Sequence, residues 1–241
     1  MEGVKLMNRT DTKFCFTAKH LNEILTELQD QYNCVEIESK RISTYQTVYY
    51  DTSEFKLYLQ HHNGKLNRFK VRKRDYVDSN LSYLEIKQKN NKGRTIKVRI
   101  KTQSANLQDD KNSEFISHNL PFSPSQLLPV IRIDYGRITL VNKISMERVT
   151  IDLGLKFIKN GNTISMDDLV IAEVKQEKKN KSPFIQSMLK RRIFEGGISK
   201  YCMAIALTEP KIKANNFKEK INTLNKITKN DLTASSYRSV E

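Results

Sequence analysis

The sequence predicts an α+β fold that is mainly β: a closed antiparallel β-barrel, forming a tunnel, with a few flanking helices. Five segments alternate charged and apolar residues with a period of two, which is typical of strands with one charged and one apolar face. Polar turns separate several of these segments, as expected for antiparallel strands. A closed barrel would turn the charged faces toward a shared interior, where charge is tolerated only if water or a ligand solvates it.

The most informative segment is 68–74, in which every second residue is a cation. As a strand it places four cations on one face, about 6.5 Å apart: Arg68, Lys70, Arg72 and Arg74. Neighbouring charges at that distance repel by roughly 2–3 kcal/mol at an effective dielectric near 20, and by much less in open water. This row of four cations therefore costs little free energy on an open surface, but an enclosed row needs a polyanion to compensate its charge.

Four further segments repeat the alternation, at 85–89, 97–101, 148–152 and 173–175. Their charged residues include Glu85, Lys87, Lys97, Arg99, Arg148, Asp152, Glu173 and Lys175. A single strand of this kind is ordinarily a solvated face. Five in one chain favour a common, functional charged surface.

The remaining elements predict one domain and a tail. The apolar stripe of residues 17–31 predicts a helix, and residues 183–194 predict another, with Pro183 in its first turn. Residues 201–207 predict a short last helix, residues 102–129 a loop with a short helix, and residues 61–64 a solvated turn. The domain is expected to span 1–210, and the polar residues 211–241 a partly helical or disordered tail.

Composition indicates an anionic partner. Lys and Arg number 42 against 27 Asp and Glu, so the formal net charge is +15, which suits nucleic acid, phosphorylated metabolites or an anionic membrane surface. The three cysteines show no CxxC spacing, which favours a reducing compartment. Neither a signal peptide nor an apolar run long enough for a membrane span is found, so a cytoplasmic location is expected.

The order of the charged segments resembles that of a known family. The matching pieces are RTDTKF (9–14), YYDT (49–52), RFKVRKR (68–74), LEIK (84–87), KVR (97–99), YGR (135–137), RVTID (148–152), AEVK (172–175) and ISKY (198–201). In this order they resemble the VTC domain, the polyphosphate polymerase domain of the triphosphate tunnel metalloenzyme superfamily. The resemblance covers roughly residues 8–205. One departure is Asp11, which stands where a Glu is common in the family.

The resemblance implies an enzyme that transfers the γ-phosphate of ATP to a growing polyphosphate chain inside the tunnel, with a divalent metal, Mn²⁺ or Mg²⁺. The residues expected to act in catalysis are Arg72, Arg74, Lys87, Arg137, Arg148 and Lys200. Those expected to bind substrate are Lys13, Arg68, Lys70, Lys97, Arg99, Tyr135 and Lys175. Glu173 matches the metal-binding carboxylate of the family, and Glu85 and Asp152 are further metal candidates.

The expected partners are ATP and inorganic polyphosphate. A separate membrane protein is a further candidate, through which the chain would associate with a membrane. Nucleic acid is disfavoured because the charged faces are expected to carry few aromatic residues for base stacking.

Several alternatives remain open at this point. Glu85 fits a counter-ion for Lys87 or Arg99 as well as it fits a metal ligand, and Asp152 fits a partner of Arg148 or Lys175. Transfer to a phosphate needs no general base, since the nucleophile is already an anion, whereas hydrolysis needs a positioned water and a base. A tripolyphosphate or nucleoside triphosphate hydrolase, a module that binds polyphosphate without turnover, and a non-catalytic nucleic-acid binder are therefore the competing functions.

Overall fold

The structure of the protein, a computed structural model, describes residues 10–229. Over this range the chain forms ten strands and six α-helices. The strands are β1 (Thr10–Thr17), β2 (Tyr32–Cys34), β3 (Ser43–Asp51), β4 (Arg68–Tyr76), β5 (Leu81–Lys89), β6 (Thr95–Lys101), β7 (Leu128–Asn142), β8 (Glu147–Lys159), β9 (Asn162–Met166) and β10 (Leu169–Gln176). The helices are α1 (Leu21–Leu28), α2 (Lys56–His62), α3 (Asp110–Asn119), α4 (Pro183–Lys190), α5 (Lys200–Thr208) and α6 (Lys218–Thr228).

All ten strands belong to one antiparallel sheet. Its order is β1-β10-β8-β7-β3-β4-β5-β6, with β2 added to β7 and β9 added to β8. The prediction of a mainly β fold with flanking helices is confirmed, but the prediction of a closed barrel is wrong, because β1 and β6 are the two ends of the sheet and do not pair. The outer edge of β1 has another partner: the Gly196 N–H donates to the Lys13 carbonyl at 2.8 Å.

Side-chain alternation gives the sheet two different faces. The outer face is apolar and is covered by helices in two halves. On the β1-β10-β8-β7 half, Phe14, Val149 and Val174 pack with residues of α1 and α4. On the other half, Val71 and Ile86 pack with residues of α3 and the loops beside it. This pattern leaves the opposite face, called here the inner face, for the charged residues.

Helices α5 and α6 cover part of the inner face. Helix α5 is buried along almost its whole length, and it packs with α6 against apolar residues of β7, β8 and β10. The stacking of Tyr201 on Tyr49, with ring centroids 4.9 Å apart, fixes α5 against β3. These contacts thus hold both helices over that part of the inner face.

One buried carboxylate ties three elements together. Asp51, at the end of β3, is fully buried and accepts the backbone N–H groups of Thr52, Leu57 and Tyr58 at 2.7–2.8 Å. It also accepts the hydroxyl of Tyr201 from α5. Burial raises the pKa of Asp51 despite these bonds. Asp51 therefore satisfies the free N–H groups at the start of α2 and orients α5 at the same time.

The predicted elements are present with several differences in extent. Strand β8 extends to Lys159, well beyond the alternating segment at 148–152. Strands β2 and β9 were not predicted, since each is short and pairs with a single longer strand. The predicted turn at 61–64 is wrong at its start, because His61 and His62 end α2 and His62 is buried.

Part of the predicted tail is helical, in keeping with the prediction of a partly helical or disordered segment. It contains α6, whose Ile221 and Leu224 are buried in the core. The rest of the predicted tail, residues 230–241, lies outside the described residues. No helix within 10–229 is long and apolar enough to cross a membrane.

The Asp51 network predicts a large stability effect. We expect Asp51→Asn to lower the free energy of unfolding by about 2–4 kcal/mol, because an amide group replaces an acceptor oxygen among buried N–H donors. Urea unfolding measures this. Glu54→Gln is the matched control, since Glu54 is an exposed residue next to α2 that pairs with the exposed Lys56, and we expect less than about 0.5 kcal/mol there. Equal effects of the two variants would contradict the role assigned to Asp51.

Candidate functional site

The inner face gathers the charged residues that alternate along β1, β4, β5, β6, β8 and β10. The strand register places them side by side: Arg72 lies opposite Glu85, which lies opposite Arg99, and Lys70 lies opposite Lys87, which lies opposite Lys97. On the other half of the sheet, Lys13 lies opposite Glu173, and Asp11 lies opposite Lys175. The register thus brings the charged residues of these six strands onto one face of the sheet.

The segment before α5 crosses this surface and joins its two halves. Gly196 binds β1 through the Lys13 carbonyl, the Lys70 Nζ of β4 donates to Ser199 Oγ at 3.0 Å, and Lys200 pairs with Asp152 of β8. A glycine is required at 197, because a Cβ atom there would lie 2.7 Å from the Cβ of Lys13. The sheet is therefore curved around the start of α5 even though its ends do not pair.

The start of α5 adds positive potential to the site. Ser199 is the N-cap and accepts the Cys202 N–H at 3.2 Å. The first N–H groups of a helix carry a partial positive charge that favours anions nearby. Sequence analysis placed Lys200 just outside a helix, whereas the structure makes it the first residue of α5.

Glu85 is the centre of the first ion-pair cluster. Its side chain is fully buried, and its Oε2 accepts from the guanidinium of Arg72 at 2.6–2.7 Å. Lys97 pairs with its other oxygen. Burial alone would raise the pKa of Glu85, but Arg72 and Lys97 outweigh it and hold the pKa well below its usual range. Glu85 is thus a counter-ion in this structure, for Arg72 and Lys97 rather than for Lys87 or Arg99.

Asp152 is the centre of the second cluster. Arg137 donates to both of its oxygens, at 2.5 and 2.8 Å, and Lys200 donates to one of them. Burial would raise the pKa of Asp152, but Lys200 and Arg137 lower it to about 2. The expected pairing with Arg148 or Lys175 is wrong: Arg148 is exposed at the end of β8, and Lys175 belongs to a third cluster.

The third cluster suits a divalent cation. The ammonium of Lys175 lies between two carboxylates, in contact with Glu173 and 3.2 Å from Asp11. Burial would raise the pKa of Glu173, but Lys175 and Lys13 hold it well below its usual range. The carboxyl oxygens of Asp11 and Glu173 are hard donors of the kind that Mg²⁺ and Mn²⁺ prefer.

The donor set for a metal is incomplete within the protein itself. Between residues 10 and 229 no group of three or more His, Cys, Asp or Glu converges. Asp11 and Glu173 therefore fit a metal that takes its remaining ligands from water and phosphate, as Mg²⁺ commonly does. Glu85 and Asp152 each already hold two cations of the protein.

Several cations of the inner face lack a carboxylate partner within the described part of the chain, and Arg74 and Lys87 are two of them. Arg74 is buried, and its guanidinium contacts the Thr47 hydroxyl at 3.2 Å and two tyrosine rings. Lys87 has its pKa lowered well below the ordinary value, first by the positive charge of Arg72 and then by burial. A bound anion would supply the negative charge that neither group receives from a carboxylate of the described residues.

Lys70 and His61 show the same excess of positive charge. The pKa of Lys70 is lowered by burial and by the cations Lys13 and Arg72. His61, which sequence analysis placed in solvent, is half-buried beside β4, and burial together with Lys70 and Arg68 lowers its pKa to about 2. The imidazole is therefore uncharged near neutral pH.

The remaining predicted residues lie at the margins of the inner face. Arg68 donates to the Lys65 carbonyl at 2.6 Å near the start of β4. Arg99 is exposed on the edge strand β6, and Arg148 is opposite Lys175 at the end of its strand. These three residues therefore lie outside the central ion-pair clusters.

Sequence analysis missed the tyrosines of the inner face. Tyr45, Tyr49, Tyr76 and Tyr83 lie there together with Tyr135, so the expectation of few aromatic residues is wrong. The alternation of Tyr45, Thr47 and Tyr49 in β3 is the signal that could have found two of them. Tyr45, Tyr49 and Tyr135 are at most 8% exposed, and their rings are stacked on other aromatic rings of the protein.

Comparison with solved structures finds proteins of similar fold. A proposed adenylate cyclase from Bacillus halodurans superimposes with a TM-score of 0.54 at 12% identity, covering 81% of this chain and 96% of that chain. A proposed adenylate cyclase from Vibrio parahaemolyticus superimposes with a TM-score of 0.48 at 9% identity, covering 80% of this chain and 97% of that chain. A proposed adenylyl cyclase from Hippeastrum, reported with a dominant triphosphatase activity, superimposes with a TM-score of 0.47 at 12% identity. The match covers 80% of this chain and 93% of that chain. At these identities the likeness concerns the fold alone.

Sequence comparison identifies the family. No curated protein matches the chain, but the model of the VTC domain matches residues 8–209. That match spans all of the sheet and α1 to α5, and thus every charged cluster of the inner face. The chain therefore belongs to the VTC domain family of the triphosphate tunnel metalloenzyme superfamily, as the order of its charged strands indicated.

Proposed function

We propose that the protein is an ATP-dependent polyphosphate polymerase that transfers the γ-phosphate of ATP to a growing polyphosphate chain along the inner face. The observation that carries the proposal is the excess of partly buried cations over carboxylates there. Arg74 and Lys87 lack carboxylate partners within the described residues, and the pKa of Lys87 is lowered by its neighbour Arg72. A linear polyanion supplies the missing negative charge at regular intervals.

The cations have separate parts in this reaction. Arginine forks grip non-bridging phosphate oxygens in a defined orientation, which suits Arg72, Arg74 and Arg137. Lys87 and Lys200 add compact charges that stabilise the negative charge shared between donor and acceptor. The N-terminal N–H groups of α5 face the same region and favour the same charge.

The proposed reaction needs no general base. The attacking atom is a phosphate oxygen that is already ionised, so no proton has to be removed. The uncharged imidazole of His61 agrees with this, since a group of pKa about 2 is a poor base. Asp11 and Glu173 would hold a Mg²⁺ or Mn²⁺ ion, which neutralises phosphate oxygens when bound.

The products of ATP turnover test the proposal. We expect the purified protein, incubated with ATP and Mn²⁺ or Mg²⁺, to release ADP and to form long-chain polyphosphate with little free phosphate. ADP, free phosphate and polymer are measured in the same reaction. ADP with an equal amount of free phosphate and no polymer would replace the proposal by hydrolysis. Binding of polyphosphate without any turnover would indicate a binding module.

Removing one unpaired cation separates binding from stability. We expect Lys87→Met to weaken binding of tripolyphosphate about tenfold and to raise the melting temperature, because the ammonium repels Arg72 in the free protein but attracts a bound anion. Calorimetric titration and thermal unfolding measure the two effects. Lys92→Met, in the exposed turn before β6, is the control and is expected to change neither. A Lys87→Met protein that is less stable than wild type would contradict this account of the charged face.

The lowered pKa of Lys87 predicts a pH dependence. As pH rises through this pKa, the Lys87 ammonium loses its proton and the affinity for tripolyphosphate falls. Because the pKa of Lys87 is lowered, we expect this fall at a lower pH than for a lysine of ordinary pKa. Over the same interval the unfolded chain holds more protons than the folded one, so this group's contribution to stability rises with pH. Titrations from about pH 7 to 10 on wild type and Lys87→Met test the first effect. An equal pH profile in both proteins would refute it.

A further inference from the structure

Four tyrosines form a continuous row across the inner face. Ring centroids are 5.9 Å apart between Tyr83 and Tyr76, 5.0 Å between Tyr76 and Tyr45, and 5.2 Å between Tyr45 and Tyr135. The last pair is stacked, with an angle of 8° between the ring planes. These four residues, called here the aromatic row, come from β5, β4, β3 and β7, so the row crosses four neighbouring strands.

Four cations of the inner face lie against this row. The Cζ of Arg74 is 5.3 Å from the ring centre of Tyr45 and 5.7 Å from that of Tyr135. Arg137 is 4.9 and 5.4 Å from the same two rings. Lys200 lies 4.9 Å from Tyr135, and Arg99 lies 4.5 Å from Tyr83. All of these distances are within the range of cation–π attraction.

The contrast between Arg72 and Arg74 shows what the row provides. Both are buried and face the same way on β4, but Arg72 donates to Glu85, whereas Arg74 has no carboxylate within ion-pair distance in residues 10–229. Burying a guanidinium without any compensation is costly. The named contacts of Arg74 are the Thr47 hydroxyl and the rings of Tyr45 and Tyr135.

An aromatic ring differs from a carboxylate as a partner for a cation that has to bind phosphate. A ring attracts the cation through its quadrupole and carries no net charge, so the positive charge of the guanidinium is retained. A ring also leaves N–H donors of the fork free, whereas a carboxylate occupies two of them.

We propose that Tyr45 is a positioning residue: its ring, stacked on Tyr135, holds Arg74 in place without neutralising it, so that Arg74 remains free to bind a phosphate group. The inference rests on the proposed function only in that the inner face binds a linear phosphate chain. Tyr83 does the same for Arg99, which likewise contacts no carboxylate within ion-pair distance in the described range. The other cations on the row share Asp152, so Arg74 is the one that depends on the ring most.

Binding of tripolyphosphate to Tyr45 variants tests the inference without requiring turnover. We expect Tyr45→Phe, which keeps the ring, to bind within about twofold of wild type, and Tyr45→Leu to bind about tenfold more weakly. Tyr50→Leu is the matched control, because Tyr50 is equally buried on the same strand but faces the outer core. We expect it to lower the melting temperature and leave affinity unchanged.

A double-mutant cycle separates positioning of Arg74 from a general loss of packing. In an Arg74→Met background, Tyr45→Leu is expected to weaken binding by no more than about twofold, because the group it positions is gone. An equal loss in both backgrounds overturns the inference, as does unchanged affinity in Tyr45→Leu or a loss in Tyr45→Phe as large as that in Tyr45→Leu. A protein that shows the predicted cycle but makes no polymer from ATP retains this role for Tyr45 and loses the proposed function. Wild type that binds no tripolyphosphate refutes the inference directly.

Discussion

The central constraint on this structure is the repulsion among cations that the fold holds close together on one side of a sheet. Arg72, Arg74 and Lys87 lie on adjacent strands with little solvent to screen them, and the lowered pKa of Lys87 records the cost. The rest of the architecture limits that cost. Apolar packing on the outer face keeps the strands in register, and three inner-face carboxylates, Glu85, Asp152 and Glu173, each pair with one or two cations.

The carboxylates of the protein compensate only part of the positive charge of the inner face. A fully neutralised face would have no affinity for an anion. Carboxylates hold Arg72 and Arg137 by charged hydrogen bonds, whereas the stacked rings of Tyr45 and Tyr135 hold Arg74 by a weaker attraction that does not cancel its charge. The two kinds of support produce cations of two kinds. The cations paired with carboxylates are fixed in direction, whereas those without a carboxylate keep a charge that no acidic side chain of the described residues compensates.

The segment from Gly196 to α5 makes the charged face a site rather than a surface. It binds β1 at Lys13, β4 at Lys70 and β8 at Asp152, and it brings a helix N-terminus into the middle of the basic residues. Asp51 stabilises the same helix from the opposite side through Tyr201. The two edges of the sheet do not pair, so the curvature depends on these contacts and on the packing of α5 and α6 rather than on strand closure.

The sequence alone determined the class of the fold, the family and most of the charged set, because each depends on local periodicity. A strand exposes alternate residues whatever its neighbours are, so Arg72, Arg74 and Lys87 were identifiable as members of one charged face. The order of the motifs was sufficient to identify the VTC domain, which the family match confirms.

Tertiary structure decided which charges meet and whether the sheet closes. Asp152 was expected beside Arg148 or Lys175, and it binds Arg137 and Lys200 instead, because the register of β7 on β8 and the path of the chain before α5 are not encoded in either strand alone. The aromatic row could not be predicted from the sequence for the same reason, since its members come from four strands. The sheet stays open between β1 and β6, and at the free edge of β1 the Lys13 carbonyl accepts the Gly196 N–H. Period-2 patterning specifies a face, whereas partners across strands depend on register and on long-range packing, which only the folded chain supplies.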